Sequence, residues 1–107
     1  MFVEYLQNIS EFYMRMMKGK TLVTASKESC FWVNQGPVLK NLRELHDALK
    51  SDITDTQYKY HVGKGKNDFA NWVSEVLGDK ECAAKLYGAR SRKSAVALLE
   101  ECLQAYR

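Results

Sequence analysis

From Asn67 onward the apolar residues Phe69, Trp72, Val73, Val76 and Leu77 recur at spacings of three and four, which is one face of an α-helix. Asn67 is a good N-cap for that helix and Gly78 a natural stop. The same period runs through Phe2, Leu6, Ile9, Tyr13 and Met16, predicting a helix to Lys18 that Gly19 closes. There Tyr5, Phe12, Met14 and Met17 spread the apolar surface beyond one stripe, so this helix packs on two sides, within its own core or against another subunit. Asn41, with Glu44 three residues on, starts a short helix carrying Leu42, Leu45, His46 and Leu49 on one face. Thr54 and Gln57 form a second capping box, with Ile53 and Tyr58 at the staple positions, and the helix they start runs to about Val62. Gly63-Lys64-Gly65-Lys66 breaks it.

Asp79 begins a helix with Cys82, Ala83, Leu86 and Tyr87 that Gly88 ends, and Ser91 caps a last one with Val96, Leu99, Cys102, Leu103 and Tyr106. Cys30-Phe31-Trp32-Val33 has strand composition, Asn34-Gln35-Gly36 is a turn, and Val38-Leu39 is a return strand, with Pro37 confined to an edge or to the first position. The pattern predicts a mainly α fold, a compact bundle of about six short helices with a small β-hairpin near residues 30–39. Its core centres on Trp72, with Leu45, Leu49, Tyr58, Phe69, Val73 and Leu77. Residues 1–107 form a single domain, in which the helix within residues 1–19 is an oligomerisation or docking element.

Composition changes this picture little. Apolar residues make up 46% of the chain and charged residues 27%, far from the regime of disorder. A net charge of +3 over 107 residues does not demand a polyanionic partner. Two basic runs nevertheless contain no acid: Lys59, Lys64 and Lys66, then Lys85, Arg90, Arg92 and Lys93. Three cysteines, Cys30, Cys82 and Cys102, lie far apart without a Cys-x-x-Cys spacing, which argues against zinc and for reduced thiols in an intracellular, cytoplasmic setting. Glu4, Glu11 and Arg15 interrupt the apolar N-terminal stretch, so neither a signal peptide nor a membrane span is expected.

The chemistry-bearing residues are sparse. Two histidines and scattered acids make neither a nucleophile–base pair nor a metal cluster, and no catalytic residue, cofactor or metal is expected. The Gly-Lys-Gly-Lys loop lacks the frame of a phosphate loop and follows no strand, while Asp68 beyond it would repel a phosphate. A helix-turn-helix reading of the same region meets a recognition helix without lysine or arginine. One polar group remains, His61 with Asn67, Asp68 and Asn71. It is either a structural cluster, with His61 bonding across the Gly63 turn, or a polar pocket rimmed by Trp72.

Phe31-Trp32-Val33-Asn34-Gln35-Gly36, Asn41-Leu42-Arg43-Glu44-Leu45, Tyr60-His61, Asn67-Asp68-Phe69-Ala70-x-Trp72-Val73 and Val76-Leu77-Gly78-Asp79 together resemble a domain family of unknown function found mainly in archaea and bacteria. The resemblance spans Phe31 to about Leu86 and implies a fold without supplying catalytic residues. The functional expectation is a non-enzymatic protein–protein interaction or assembly module, self-associating or bound to a protein partner through Phe2, Tyr5, Phe12, Met14 and Met17. Its alternative is a small nucleic-acid-binding protein using Lys59, Lys64, Lys66, Lys85, Arg90, Arg92 and Lys93.

Overall fold

The computed structural model describes residues 19–106, which hold five α-helices and two small antiparallel strand pairs. The expected first helix, with Phe2, Tyr5, Phe12, Met14 and Met17, lies outside the described residues. The described chain enters beside the end of the last helix, where the Lys20 N–H donates to the Ala105 carbonyl at 3.3 Å.

A 3-10 turn at Lys27–Ser29 leads into β1, Phe31–Trp32, which pairs with β2, Val38–Leu39. The register sets Phe31 against Leu39 and Trp32 against Val38. Successive side chains of a strand point to opposite faces, so Phe31 and Leu39 enter the core while Trp32 and Val38 meet solvent. In the connecting turn Gln35 takes a left-handed conformation, φ 55°, and Gln57 Nε2 donates to the Asn34 and Gln35 carbonyls at 3.1 Å each. Gly36 is required by close approach: a Cβ there would come within 2.8 Å of Val33 Cγ1.

Helix α1, Leu42–Asp47, starts where Asn41 Oδ1 accepts the Glu44 N–H at 2.8 Å. The Glu44 carboxylate does not close the expected box on Asn41 but accepts the Lys40 N–H at 2.9 Å. The helix continues into a π-helical turn, Ala48–Asp52. Helix α2, Asp55–His61, has the reciprocal Thr54–Gln57 box in full.

The Gly-Lys-Gly-Lys stretch is more than a break. It closes a second hairpin, β3, Val62–Gly63, against β4, Lys66–Asn67, with Gly65 at φ 72° in the connecting turn. Periodicity does not reveal strands of two residues, which show no alternation to count. Helices α3, Asp68–Glu75, α4, Lys80–Tyr87, and α5, Arg92–Leu103, follow, capped by Asn67, Asp79 and Ser91.

The core has the predicted centre. Leu45, Leu49, Phe69 and Val73 are at most 1% exposed, and Tyr58, Trp72 and Leu77 are buried with them. Burying each such side chain stabilises the fold by about 1.5–3 kcal/mol. Phe31 holds the first hairpin to this centre, stacking on Phe69 at 4.7 Å and meeting Trp72 edge-on at 5.7 Å. Trp72 Nε1 then donates to the Ser29 carbonyl at 2.7 Å, tying the turn before β1 to α3.

Candidate functional site

His61, the last residue of α2, is buried between the two hairpins and α3. Its Nε2 accepts the Asn34 backbone N–H at 3.0 Å, and its Nδ1 lies 3.0 Å from Asp68 Oδ2, the first residue of α3. With Nε2 accepting, the ring proton sits on Nδ1 and is donated to the carboxylate. Phe31 and Phe69 flank the ring edge-on at 5.0 and 5.2 Å. Both nitrogens are therefore occupied by protein partners, and the imidazole links α2, the first hairpin and α3.

The other members of the polar group are spent in the same way. Asn67, buried at the end of β4, accepts the Ala70 N–H at 3.0 Å through Oδ1 and donates Nδ2 to the Leu86 carbonyl at 3.0 Å. It caps α3 and fastens α4 in one side chain. Asn71 is exposed and accepts from the Tyr87 hydroxyl of α4. Asp68 also lies 3.7 Å from Lys66 Nζ. His46, on the border of the α1 stripe, contacts Asp47 at 2.8 Å through Nδ1, while its Nε2 lies 3.3 Å from Glu100 but off the line of a hydrogen bond.

The basic residues divide into three sets. Lys66 donates to the Tyr60 carbonyl at 3.2 Å and sits over the Tyr60 ring. Lys85 pairs with Glu101 at 3.3 Å, and that hydrogen bond and charge push its ammonium pKa up. Lys64 and Lys93 are exposed. Lys59 of α2 and Arg90 and Arg92 before and at the start of α5, far apart in sequence, line one cleft of about 560 Å³. Arg92 is engaged there: Nε donates to Asp55 at 2.8 Å and Nη1 to the Leu49 carbonyl at 2.6 Å. The Asp55 carboxyl is held below its ordinary range by that hydrogen bond and by the Arg92 charge.

Two features escaped the sequence reading. Strand composition alone does not say which way Trp32 faces, and it is 71% exposed beside Val38. The two-residue alternation around a buried Phe31 was the signal that could have placed it outward. The spacing gives Tyr58 a place in the core and in the staple of α2, yet its hydroxyl is buried with no hydrogen-bond partner among the described residues. No pattern in sequence reports a missing partner.

The remaining chemistry is confined. Cys30, Cys82 and Cys102 are all unbridged. A hydrogen bond with Cys102, burial, and the Cys102 and Asp79 charges push the Cys82 thiol up, away from a reactive thiolate. Among the described residues no three His, Cys, Asp or Glu side chains are placed to hold a metal ion, and no helix is long and apolar enough to cross a membrane.

A scan of family models, a search of curated proteins and a search of solved structures each found no match to the chain. The resemblance over Phe31 to about Leu86 accordingly rests on the sequence motifs themselves.

Proposed function

We propose that the chain is a non-enzymatic protein–protein interaction module that self-associates. The observation that carries this reading is Trp32, 71% exposed on the solvent face of the first hairpin and set directly across from Val38. Tryptophan has a large apolar surface and is enriched at the centres of protein interfaces. The turn that presents it is braced by Gln57, so the surface is pre-organised. The apolar flank expected on the first helix, Phe2, Tyr5, Phe12, Met14 and Met17, supplies further surface in the same reading.

Light scattering after size exclusion tests it. A dimer or larger species, insensitive to salt and reduced toward monomer by Trp32→Ser with an unchanged melting temperature, is expected. A wild-type chain that stays monomeric at high concentration overturns the reading.

The nucleic-acid alternative draws support from the meeting of Lys59, Arg90 and Arg92. It draws less from Lys66 and Lys85, which have acceptors of their own. The same experiment with a mixed DNA and RNA pool addresses it, since phosphate contacts weaken steeply with salt.

A further inference from the structure

The cleft between α2 and the start of α5 has the parts of an anion site, and we infer that it binds the phosphate group of a small phosphate monoester. It stands apart from the Trp32 surface and does not depend on self-association.

Three cations, Lys59, Arg90 and Arg92, line the cleft against a single carboxylate, Asp55, which Arg92 already holds. Lys59 and Arg90 make no ion pair among the described residues, so an incoming anion meets two uncommitted positive side chains. The N-terminus of α5 opens into the same space, since Ser91 and Arg92 both line it. Ser91 Oγ takes the Ser94 N–H at 3.1 Å. The Arg92 and Lys93 amides, in the first turn of a helix of 12 residues, have no intrahelical carbonyl to bind. A helix start of this kind carries partial positive charge and favours phosphate.

Tyr58 is the independent observation. It lines the cleft, is 6% exposed, and its hydroxyl has no hydrogen-bond partner among the described residues. Buried hydroxyls are nearly always paired, so an unpaired one beside a cationic cleft marks a donor waiting for an acceptor. A phosphoryl oxygen supplies that acceptor. The ligand's class follows from the rest of the lining: Val62, Ala89 and the Tyr58 ring give an apolar wall for an organic body, and the volume is that of a small-molecule site. Donors from α2, Arg90 and the α5 start suit the three oxygens and double charge of a phosphate monoester better than a singly charged carboxylate.

The test is calorimetric titration of the full chain at low salt with phenyl phosphate, inorganic phosphate, benzoate, and a short single-stranded oligonucleotide with and without a 5′-phosphate. Phenyl phosphate is expected to saturate one site and to bind more tightly than benzoate. Arg90→Gln and Lys59→Gln should each weaken it about tenfold, the worth of one charge-assisted contact, while Lys64→Gln leaves it unchanged. Tyr58→Phe should weaken it by a similar factor without lowering the melting temperature, because it removes an unpaired hydroxyl and keeps the ring. A purely structural tyrosine would not separate those two readouts. The inference is overturned by no binding of phenyl phosphate, by binding indifferent to all three cleft variants, by benzoate binding equally well, or by inorganic phosphate binding alone. Tighter binding of the oligonucleotide irrespective of its 5′-phosphate, lost in the same variants, would also overturn it and assign the cleft to a nucleic-acid backbone.

Discussion

His61 and Asp68 stand on either side of the second hairpin and are joined at 3.0 Å between Nδ1 and Oδ2, while the opposite nitrogen of the same ring accepts the Asn34 N–H. One buried imidazole thereby sets the angle between α2 and α3 and fastens the first hairpin to both. His61→Ala removes two hydrogen bonds and opens a cavity beside Phe31 and Phe69, and a loss of about 3 kcal/mol is expected. The midpoint of urea unfolding measures it. A loss under about 1 kcal/mol, the ordinary effect of a surface substitution, would show that the imidazole carries no such link.

Asn67 separates capping from fastening. Asn67→Asp keeps a good N-cap for α3 but replaces the amide that donates to the buried Leu86 carbonyl with a carboxylate oxygen facing it. Despite the favourable cap, a loss of about 2 kcal/mol or more at neutral pH is expected, since a buried charge then faces a carbonyl without a donor. Chemical denaturation against wild type decides it, and an equal or higher midpoint would mean that the contact between Asn67 and α4 contributes nothing.

Trp72 and Trp32 report on opposite environments. Trp72→Ala should cost about 3–5 kcal/mol, whereas Trp72→Phe should cost about 1–2 kcal/mol through the unpaired Ser29 carbonyl. In the Trp72→Phe chain the remaining indole is Trp32, 71% exposed in the single chain, so its native fluorescence should be red-shifted in dilute monomer and move to the blue as self-association covers it at high concentration. A native spectrum that stays red-shifted at every concentration would take Trp32 out of the interface.

Alkaline pH should destabilise the protein through two tyrosines. Burial pushes the Tyr58 hydroxyl up; burial first, then the hydrogen bond to Asp79 at 2.5 Å and its charge, push Tyr106 up. In the unfolded chain both titrate near about pH 10, so above that pH the unfolded state releases protons the native state retains. Their contribution is complete below about pH 10 and is lost as pH rises toward the folded values. Unfolding midpoints near pH 8 and pH 11, read in wild type and in Tyr58→Phe with Tyr106→Phe, should show a smaller drop in the double variant. Equal drops would remove both tyrosines from the account.

Much of this was legible in the chain itself. The run Phe69, Trp72, Val73, Leu77 is a periodic pattern, and the Thr54–Gln57 box, the Asn67, Asp79 and Ser91 caps and the Asn34-Gln35-Gly36 turn are local devices whose partners lie within a few residues. Local chemistry is written locally. For that reason the sequence by itself determined the five described helices, the first hairpin and the residues at the core's centre.

The tertiary structure decided what depends on residues far apart in the chain. Nothing near His61 announces that its second partner is the backbone of Asn34, 27 residues away. Glu44, expected to close on its own cap, turned to Lys40, and the two-residue strands at Val62–Gly63 and Lys66–Asn67 were too short for any period to register. The meeting of Lys59 with Arg90 and Arg92, and of all three with Tyr58 and its unpaired hydroxyl, exists only once the fold brings α2 and the start of α5 to the two sides of one cleft. The physical reason is the same in each case. Helices and caps are stabilised by neighbours in sequence, whereas a site is a coincidence in space of groups whose separation along the chain carries no signal until the core has folded between them.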